Sequence, residues 1–374
     1  MVVDKPLPVL RPTGMGTVAS SLSKELASRG VEVHLFARGP REASQRISNN
    51  FHINTVASFG KTNFPVISKA VSISKKQRFD IFHTHSSSTA PLTFLMKGFG
   101  LPIVHHMHGG TRARVDGLGS PLRWLKFYSM FLLDDAIISV SNATKREIVT
   151  TFPISRSKIH VVHNGVDTSI FKPEVPDDKL KQRLGLAKFE NIILSIGMLQ
   201  ERKGQEFVIR SIPHVLRERQ NVCYVNVGGA YSQLYVNKIT SLVENLGLSN
   251  HVRFFSNLPT DELVKLINLA DVCVHPATRE AFGLVVVEQM ACGKPLVVSE
   301  APAMYEIIED KVNGFVVDVE NPQVFSSAIL NLLNNPKQAR QIGLQALHKV
   351  REKFTWAKAA EKLLLLYHRL GEKS

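Results

Sequence analysis

The sequence predicts an α/β protein of two doubly wound, Rossmann-like domains facing across a cleft. Three observations carry this. Short apolar runs alternate with amphipathic stretches along nearly the whole chain, the pattern of parallel sheets covered by helices on both faces. A polar stretch with two prolines, DTSIFKPEVPDDKLKQRLG (167–185), separates two such series. At 374 residues the chain exceeds what one ordinary core organises.

Each element has a local reason. TVASSLSKELASR (17–29) puts Val18, Leu22 and Leu26 on one helical face, and Gly30 stops it. VEVHLFA (31–37) then reads as a strand. IFHTHS (81–86), PIVHHMH (102–108) and AIISVS (136–141) read as buried strands, each short, apolar and followed by polar or glycine residues. HVVHNGVD (160–167) closes the first series. In the second, IILSIG (192–197), CYVNVGG (223–229), VRFFSN (252–257), DVCVHPA (271–277), PLVVSE (295–300) and GFVVDV (314–319) are the strands. EFVIRSIPHVLRER (206–219), NKITSLVENLGL (237–248) and DELVKLINLA (261–270) are helices between them, and AKAAEKLLLLYHRL (357–370) is an amphipathic closing helix.

Bulk composition narrows the class. With 44% apolar and 21% charged residues the chain reads as globular and soluble. No run of about 18 apolar residues offers a membrane span, and MVVDKPLPVLRP lacks a signal-peptide core. Cys223, Cys273 and Cys292 sit singly in apolar contexts without metal-type spacing, as buried thiols of a cytoplasmic protein do. Charge is uneven: residues 1–172 hold 22 Lys and Arg against 10 Asp and Glu, a net of +12 out of the chain's +14. An anionic membrane, a nucleic acid or a phosphorylated ligand suits such a surface, as does plain solubility.

Four stretches can carry chemistry. TGMGTVA (13–19) fits G-x-G-x-x-A, but no strand precedes it directly and Arg38, not an acid, follows the next strand, where it would suit only the 2′-phosphate of NADP. It reads as a glycine turn opening a helix, either simply tight or with free N–H groups facing a phosphate. His83, His85, His105, His106 and His108 cluster on two strands. No Cys, Asp or Glu stands beside them at ligand spacing, so buried histidines bonded to backbone are the plainer reading than a metal site. His108 ends its strand before Gly109–Gly110 and should face the cleft. SIGMLQERKGQEF (195–207) brings Arg202 and Lys203 to a strand end, where they suit a pyrophosphate or stand as solvated charges.

The fourth stretch, EAFGLVVVEQMACGKPLVVS (280–299), puts Glu280 and Glu288 eight apart in an apolar run. A carboxylate there needs a partner. A helix from about Gly283 to Cys292, stopped by Gly293, leaves the N–H groups around Phe282, Gly283 and Leu284 as an anion site. Glu280 and Glu288 then suit hydroxyl groups above and below it, or serve as a cap and a solvated helix residue.

At this stretch the sequence closely resembles the retaining GT-B glycosyltransferases of family four, marked by E-x7-E. GMGTVASSLSKELASRGVEVHLFA, IVHHMHG, HNGVDTSIFKP and FTWAKAAEKLLLLYHRL resemble further family segments, so the likeness covers essentially the whole chain. It implies the GT-B fold, with an acceptor-binding domain over 1–170, a closing helix in 355–374 packed back on it, and a nucleotide-sugar domain over 171–354. It implies ribose hydroxyls on Glu288 and donor-sugar hydroxyls on Glu280. The backbone at Phe282, Gly283 and Leu284 would hold sugar and phosphate, Arg202 and Lys203 the pyrophosphate, and Gly16 would approach it. His108 would contact the transferred sugar, making His108, Glu280 and Lys203 the catalytic set. No metal, no cofactor beyond the nucleotide-sugar co-substrate, and no nucleic acid are expected. Departures are Met198 where the family has Arg, Ala281 where it has Gly, Pro302–Ala303 where it has two glycines, and a first strand that reads as clipped to Val2–Val3.

SPLRWLKFYSMFLL (120–133) mixes Trp124, Phe127, Tyr128 and Phe131 with Arg123 and Lys126, and Arg112 and Arg114 lie just before it. Basic residues among aromatics read as an interfacial helix or as an ordinary packed one. The expected function is transfer of a hexose-type sugar to an acceptor hydroxyl, on a lipid, lipid-linked saccharide, glycan or small molecule. The expected place is cytoplasmic, peripheral on the inner face of a membrane. A nucleotide-sugar 2-epimerase and a non-catalytic sugar-nucleotide binder are the competing readings.

Overall fold

Parallel pairing of the apolar runs builds two sheets, and the chain divides into two compact units, Met1–Gly165 with Trp356–Ser374, and Val166–Thr355. The computed structural model describes residues 1–6, 14–39, 41–57, 64–85, 90–109 and 121–372.

In the first unit the elements run β1 (Val2–Pro6), α1 (Gly14–Ser28), β2 (Val33–Gly39), β3 (Ala43–Ser48), β4 (Phe51–Ala57), α2 (Phe64–Ser74), β5 (Phe82–Thr84), α3 (Ala90–Gly98), β6 (Ile103–Met107), α4 (Pro121–Leu133), β7 (Ala136–Ser139), α5 (Asn142–Thr151) and β8 (Ile159–Val161). They form an eight-stranded sheet in the order β3-β4-β2-β1-β5-β6-β7-β8. All described pairings are parallel except β3 with β4. The first strand is not clipped to two residues. It spans Val2–Pro6, with an irregularity between Val2 and Pro6, since proline has no N–H to extend the ladder. Edge strand β3, ASQRIS, is exposed throughout and has no apolar face to announce it.

The second unit runs α6 (Asp178–Arg183), β9 (Asn191–Ile196), α7 (Gln205–Glu218), β10 (Val222–Val227), α8 (Gln233–Asn245), β11 (Val252–Phe255), α9 (Thr260–Leu269), β12 (Val272–His275), α10 (Leu284–Ala291), β13 (Leu296–Ser299), α11 (Met304–Ile307), β14 (Phe315–Val317), α12 (Pro322–Asn334) and α13 (Pro336–Lys353). Its six strands lie β11-β10-β9-β12-β13-β14, all parallel. Ile193, Val208, Ile212, Tyr224 and Val274 are among its fully buried core residues. The polar stretch after β8 is strapped down rather than loose. Asn268 of α9 accepts from the Glu174 N–H at 2.9 Å and donates to the Lys172 carbonyl at 3.0 Å, and Asp177 caps α6. The closing helix α14 (Trp356–Gly371) packs on α1 in the first unit. Cys223, Cys273 and Cys292 are free and buried.

Candidate active site

The connections of the second sheet run from β9 through β10 to β11 on one side, and from β12 through β13 to β14 on the other. Beyond the carboxyl ends of two such neighbouring strands lies the crevice where open α/β sheets bind ligands. β9 ends before Gly197, and β12 ends at His275.

A glycine locks the two loops together. Gly204 has φ 71°, and a Cβ on it would fall 2.2 Å from the Pro276 carbonyl oxygen. Only glycine permits this approach. The Thr278 N–H then donates to the Arg202 carbonyl at 3.1 Å. Lys203 Nζ, carried on the short 3-10 turn Glu201–Lys203, donates to Glu280 Oε2 at 2.7 Å. The Ala281 N–H donates to Glu280 Oε1 at 3.1 Å. His275 Nε2 lies 3.3 Å from Oε2, close but too poorly aligned for a hydrogen bond. Burial alone would push the Glu280 carboxyl up. The neighbouring His275 and the Lys203 ammonium outweigh it and hold Glu280 well below the usual carboxylate range. Burial keeps His275 below the ordinary imidazole value, with Glu280 opposing. Arg202 is exposed beside these groups, its Nη1 3.5 Å from the Arg279 carbonyl.

Helix α10 starts at Gly283, whose φ is 107°; a Cβ there would meet Met304 Cε at 2.8 Å. Phe282 is buried edge-on to Phe354. The first N–H groups of α10 have no intrahelical partner, so its start is suited to an anion. Glu288 lies one turn into this helix. No hydrogen bond or ion pair from the described residues reaches its carboxyl, and burial pushes it up to about 7 with no opposing charge.

Beneath the β9 loop is a polar network that the sequence did not reveal. Gln205, buried at the start of α7, donates to the Met198 carbonyl at 3.0 Å and the Gly197 carbonyl at 3.3 Å. Asn226 also donates to the Gly197 carbonyl, and Ser195 donates to Asn226 at 2.8 Å. His275 was missed as a partner of Glu280. Its signal was a polar residue ending the apolar run VCV just before Pro276.

In the first unit Gly16 is buried in the first turn of α1, so the glycine stretch is already helical there rather than a loop. His108, just after β6, is half-buried, with Nε2 2.8 Å from His85 Nδ1. His83, His85, His106 and His108 stack along one face of the sheet, and burial holds the first three well below the ordinary imidazole value. Arg112 and Arg114 lie outside the described residues, and Arg123 and Lys126 stand on α4. The aromatic half of the interfacial-helix reading needs correction. Trp124 stacks on Tyr128 and Phe152 and donates its indole N–H to the Thr151 carbonyl at 3.1 Å, while Phe127 and Phe131 are buried. Those rings complete a core and are not presented to a bilayer. Among the described residues no helix is long and apolar enough to cross a membrane.

Two family models match the chain: Glycosyltransferase Family 4 over residues 12–170, and Glycosyl transferases group 1 over residues 176–349. The D-inositol 3-phosphate glycosyltransferase of Corynebacterium diphtheriae is 27% identical over 95% of this chain and 89% of its own length. Among solved structures, sucrose-phosphate synthase from Thermosynechococcus elongatus aligns with a TM-score of 0.84 at 20% identity, covering 100% of this chain and 96% of that one. Anabaena HepE in complex with UDP-glucose aligns with a TM-score of 0.79 at 20% identity, covering 98% of each chain. The chain is a glycosyltransferase of the GT-B fold, joining a family 4 region to a group 1 region.

Proposed function

We propose that this enzyme moves a hexose-type sugar, with retention, from a nucleoside diphosphate sugar to an acceptor hydroxyl. The observation that carries the donor assignment is Glu288: a half-buried carboxyl with no hydrogen-bond or ion-pair partner among the described residues, on the helix that follows the Glu280 loop. Ribose hydroxyls supply the donors it lacks. The start of α10 around Phe282, Gly283 and Leu284, with Arg202 and Lys203, holds the diphosphate. As the bond from sugar to phosphate oxygen breaks, negative charge grows on the phosphate. Fixed N–H dipoles and the two cations stabilise it without reorganising. The departing phosphate oxygen takes the proton of the acceptor hydroxyl, which attacks from the same face. Glu280 keeps acceptor capacity beyond its Lys203 and Ala281 bonds for sugar hydroxyls. Roles for His108 at the transferred sugar and Gly16 at the diphosphate follow from the family likeness.

The acceptor reading rests on a different surface. Phe94, Leu95 and Phe99 on and just after α3 are 41–52% exposed, and Leu125 and Leu132 on the adjoining α4 are 52–54% exposed. These exposed apolar side chains belong to the unit that carries nearly all the net positive charge. An anionic lipid surface bearing a lipid or lipid-linked acceptor matches both. A soluble phosphorylated polyol is the second reading, favoured by the name of the corynebacterial relative.

Calorimetric titration with UDP-, GDP- and ADP-sugars, UDP-glucose first, tests the donor site in wild type and Glu288→Ala. Equal affinity in the two proteins removes the ribose assignment. Sedimentation with anionic liposomes separates the acceptor readings: binding that weakens with salt supports the surface reading, and none at any salt supports the soluble acceptor.

A further inference from the structure

The first sheet holds a set of histidines that sugar transfer does not use. His83 lies opposite Val104 in the β5–β6 pairing, and residues two apart on a strand share a face. His83, His85 and His106 therefore converge on one side, all 1–2% exposed. Their ring centroids lie 4.6–5.4 Å apart. Among the described residues, four of their nitrogens have no hydrogen-bond partner: His83 Nε2, His85 Nε2, and both ring nitrogens of His106. Each unsatisfied buried polar group costs about 1–3 kcal/mol, so a polar occupant belongs among them.

The engaged nitrogens narrow the choice. His83 Nδ1 is bonded to the Tyr367 hydroxyl of α14, and His85 Nδ1 to His108 Nε2 at 2.8 Å. Outer partners on one ring nitrogen, with the other left bare and inward, are what orients imidazoles around a metal ion. One nitrogen of each ring already lies within 4.8 Å of the others. We propose that His83, His85 and His106 form a binding site for one divalent transition-metal ion of the zinc class. An all-imidazole donor set selects zinc, cobalt, nickel or copper over magnesium, calcium or manganese. Around one ion, nitrogens about 2.1 Å from the metal stand roughly 3.4 Å apart. The three rings are stacked, 10–25° from parallel, so to aim their in-plane lone pairs at one ion they turn about χ2, a soft torsion in histidine, and the Nδ1 bonds of His83 and His85 re-aim with them. The site lies one hydrogen bond from His108, yet its occupancy is separable from donor binding.

The test uses the untagged full chain stripped with a chelator. Cobalt titration followed by visible absorption should give one equivalent of a low-symmetry site, displaced by zinc and untouched by millimolar magnesium. His106→Ala should weaken the affinity by about 100-fold or more, and Tyr367→Phe, which removes an outer partner, by about 10–100-fold. His52→Ala, which disables the separate Glu32–His34–His52 group, should change nothing. Absence of a cobalt spectrum in wild type overturns the proposal and leaves ordered water as the occupant. So does binding that survives His106→Ala but is lost in His52→Ala. If His106→Ala fails to fold, as judged by circular dichroism, Tyr367→Phe against His52→Ala decides.

Discussion

Glu288→Gln replaces a titratable carboxyl with a neutral amide of the same shape, and the structure sets its consequences. The Glu288 carboxyl is raised from 4.5 to about 7 by burial. Below pH 4.5 the folded and unfolded forms are both protonated there, and the stability is whole. As pH rises towards 7 the unfolded chain ionises first and the folded state loses ground. Above pH 7 the deficit levels off, at most about 3.4 kcal/mol at 1.36 kcal/mol per unit. Glutamine keeps the shape and removes the proton. The ligand-free variant should match wild type at pH 4.5, gain on it through pH 7, and hold a lead of about 2–3 kcal/mol at pH 8, read from urea midpoints. Donor binding should move the other way. Ionised Glu288 accepts charge-assisted bonds worth about 1.5–3 kcal/mol, so the variant should bind donor roughly 10–150-fold more weakly at pH 8. Wild-type affinity should fall as pH drops below 7. A variant less stable than wild type at pH 8, or equal donor affinity at both pH values, refutes the assignment of Glu288 as an unpartnered ligand group.

Lys203→Met should cut transfer by about 10²–10³ and let the Glu280 carboxyl rise, seen as a new acidic limb in the pH–rate profile; an unchanged profile removes Lys203 from the site. Gly204→Ala should cost more than about 2 kcal/mol in urea unfolding and lose donor binding, since its Cβ would fall 2.2 Å from the Pro276 carbonyl oxygen. Gly247→Ala, at φ 67° with nothing within 4 Å, should cost only about 1 kcal/mol; equal losses at the two glycines contradict the docking role of Gly204. Phe94→Asp with Phe99→Asp should reduce liposome binding about tenfold without lowering the unfolding midpoint, and unchanged sedimentation rules out that patch.

The two α/β units were legible because buried parallel strands write themselves as apolar runs: the strands at 192–196, 223–227 and 272–275 are mostly Ile, Leu, Val and Cys, with polar residues confined to a few positions such as Ser195, Asn226 and His275. What the sequence hid was held by contacts distant along the chain. Strand β3 has six exposed residues and is defined only by its antiparallel ladder with β4. The rings of α4 read equally as interfacial or packed because aromatic periodicity looks the same whether it faces lipid or a core; Phe152, outside the helix, decides it. Helices α12 and α13 went unread because their apolar residues lie among Asn, Gln and Lys that mimic a loop.

The E-x7-E stretch reads as two glutamates in need of partners, and residue types alone make them equivalent. Environment separates them. Glu280 faces a lysine and a histidine across a loop contact that one glycine makes possible, so it is ionised and already bonded without substrate. Glu288 faces no charge, so near neutrality it is poised between its forms. A donor that brings hydroxyls to Glu288 stabilises the ionised form, and by linkage releases protons as it binds. Glu280 releases none, because it was never protonated. Proton release on donor binding, measured by calorimetry in buffers of different ionisation enthalpy near pH 6.5, should therefore be a fraction of one proton and vanish in Glu288→Gln. Release that persists in that variant would locate the titrating group elsewhere and leave Glu288 without a role in the donor site.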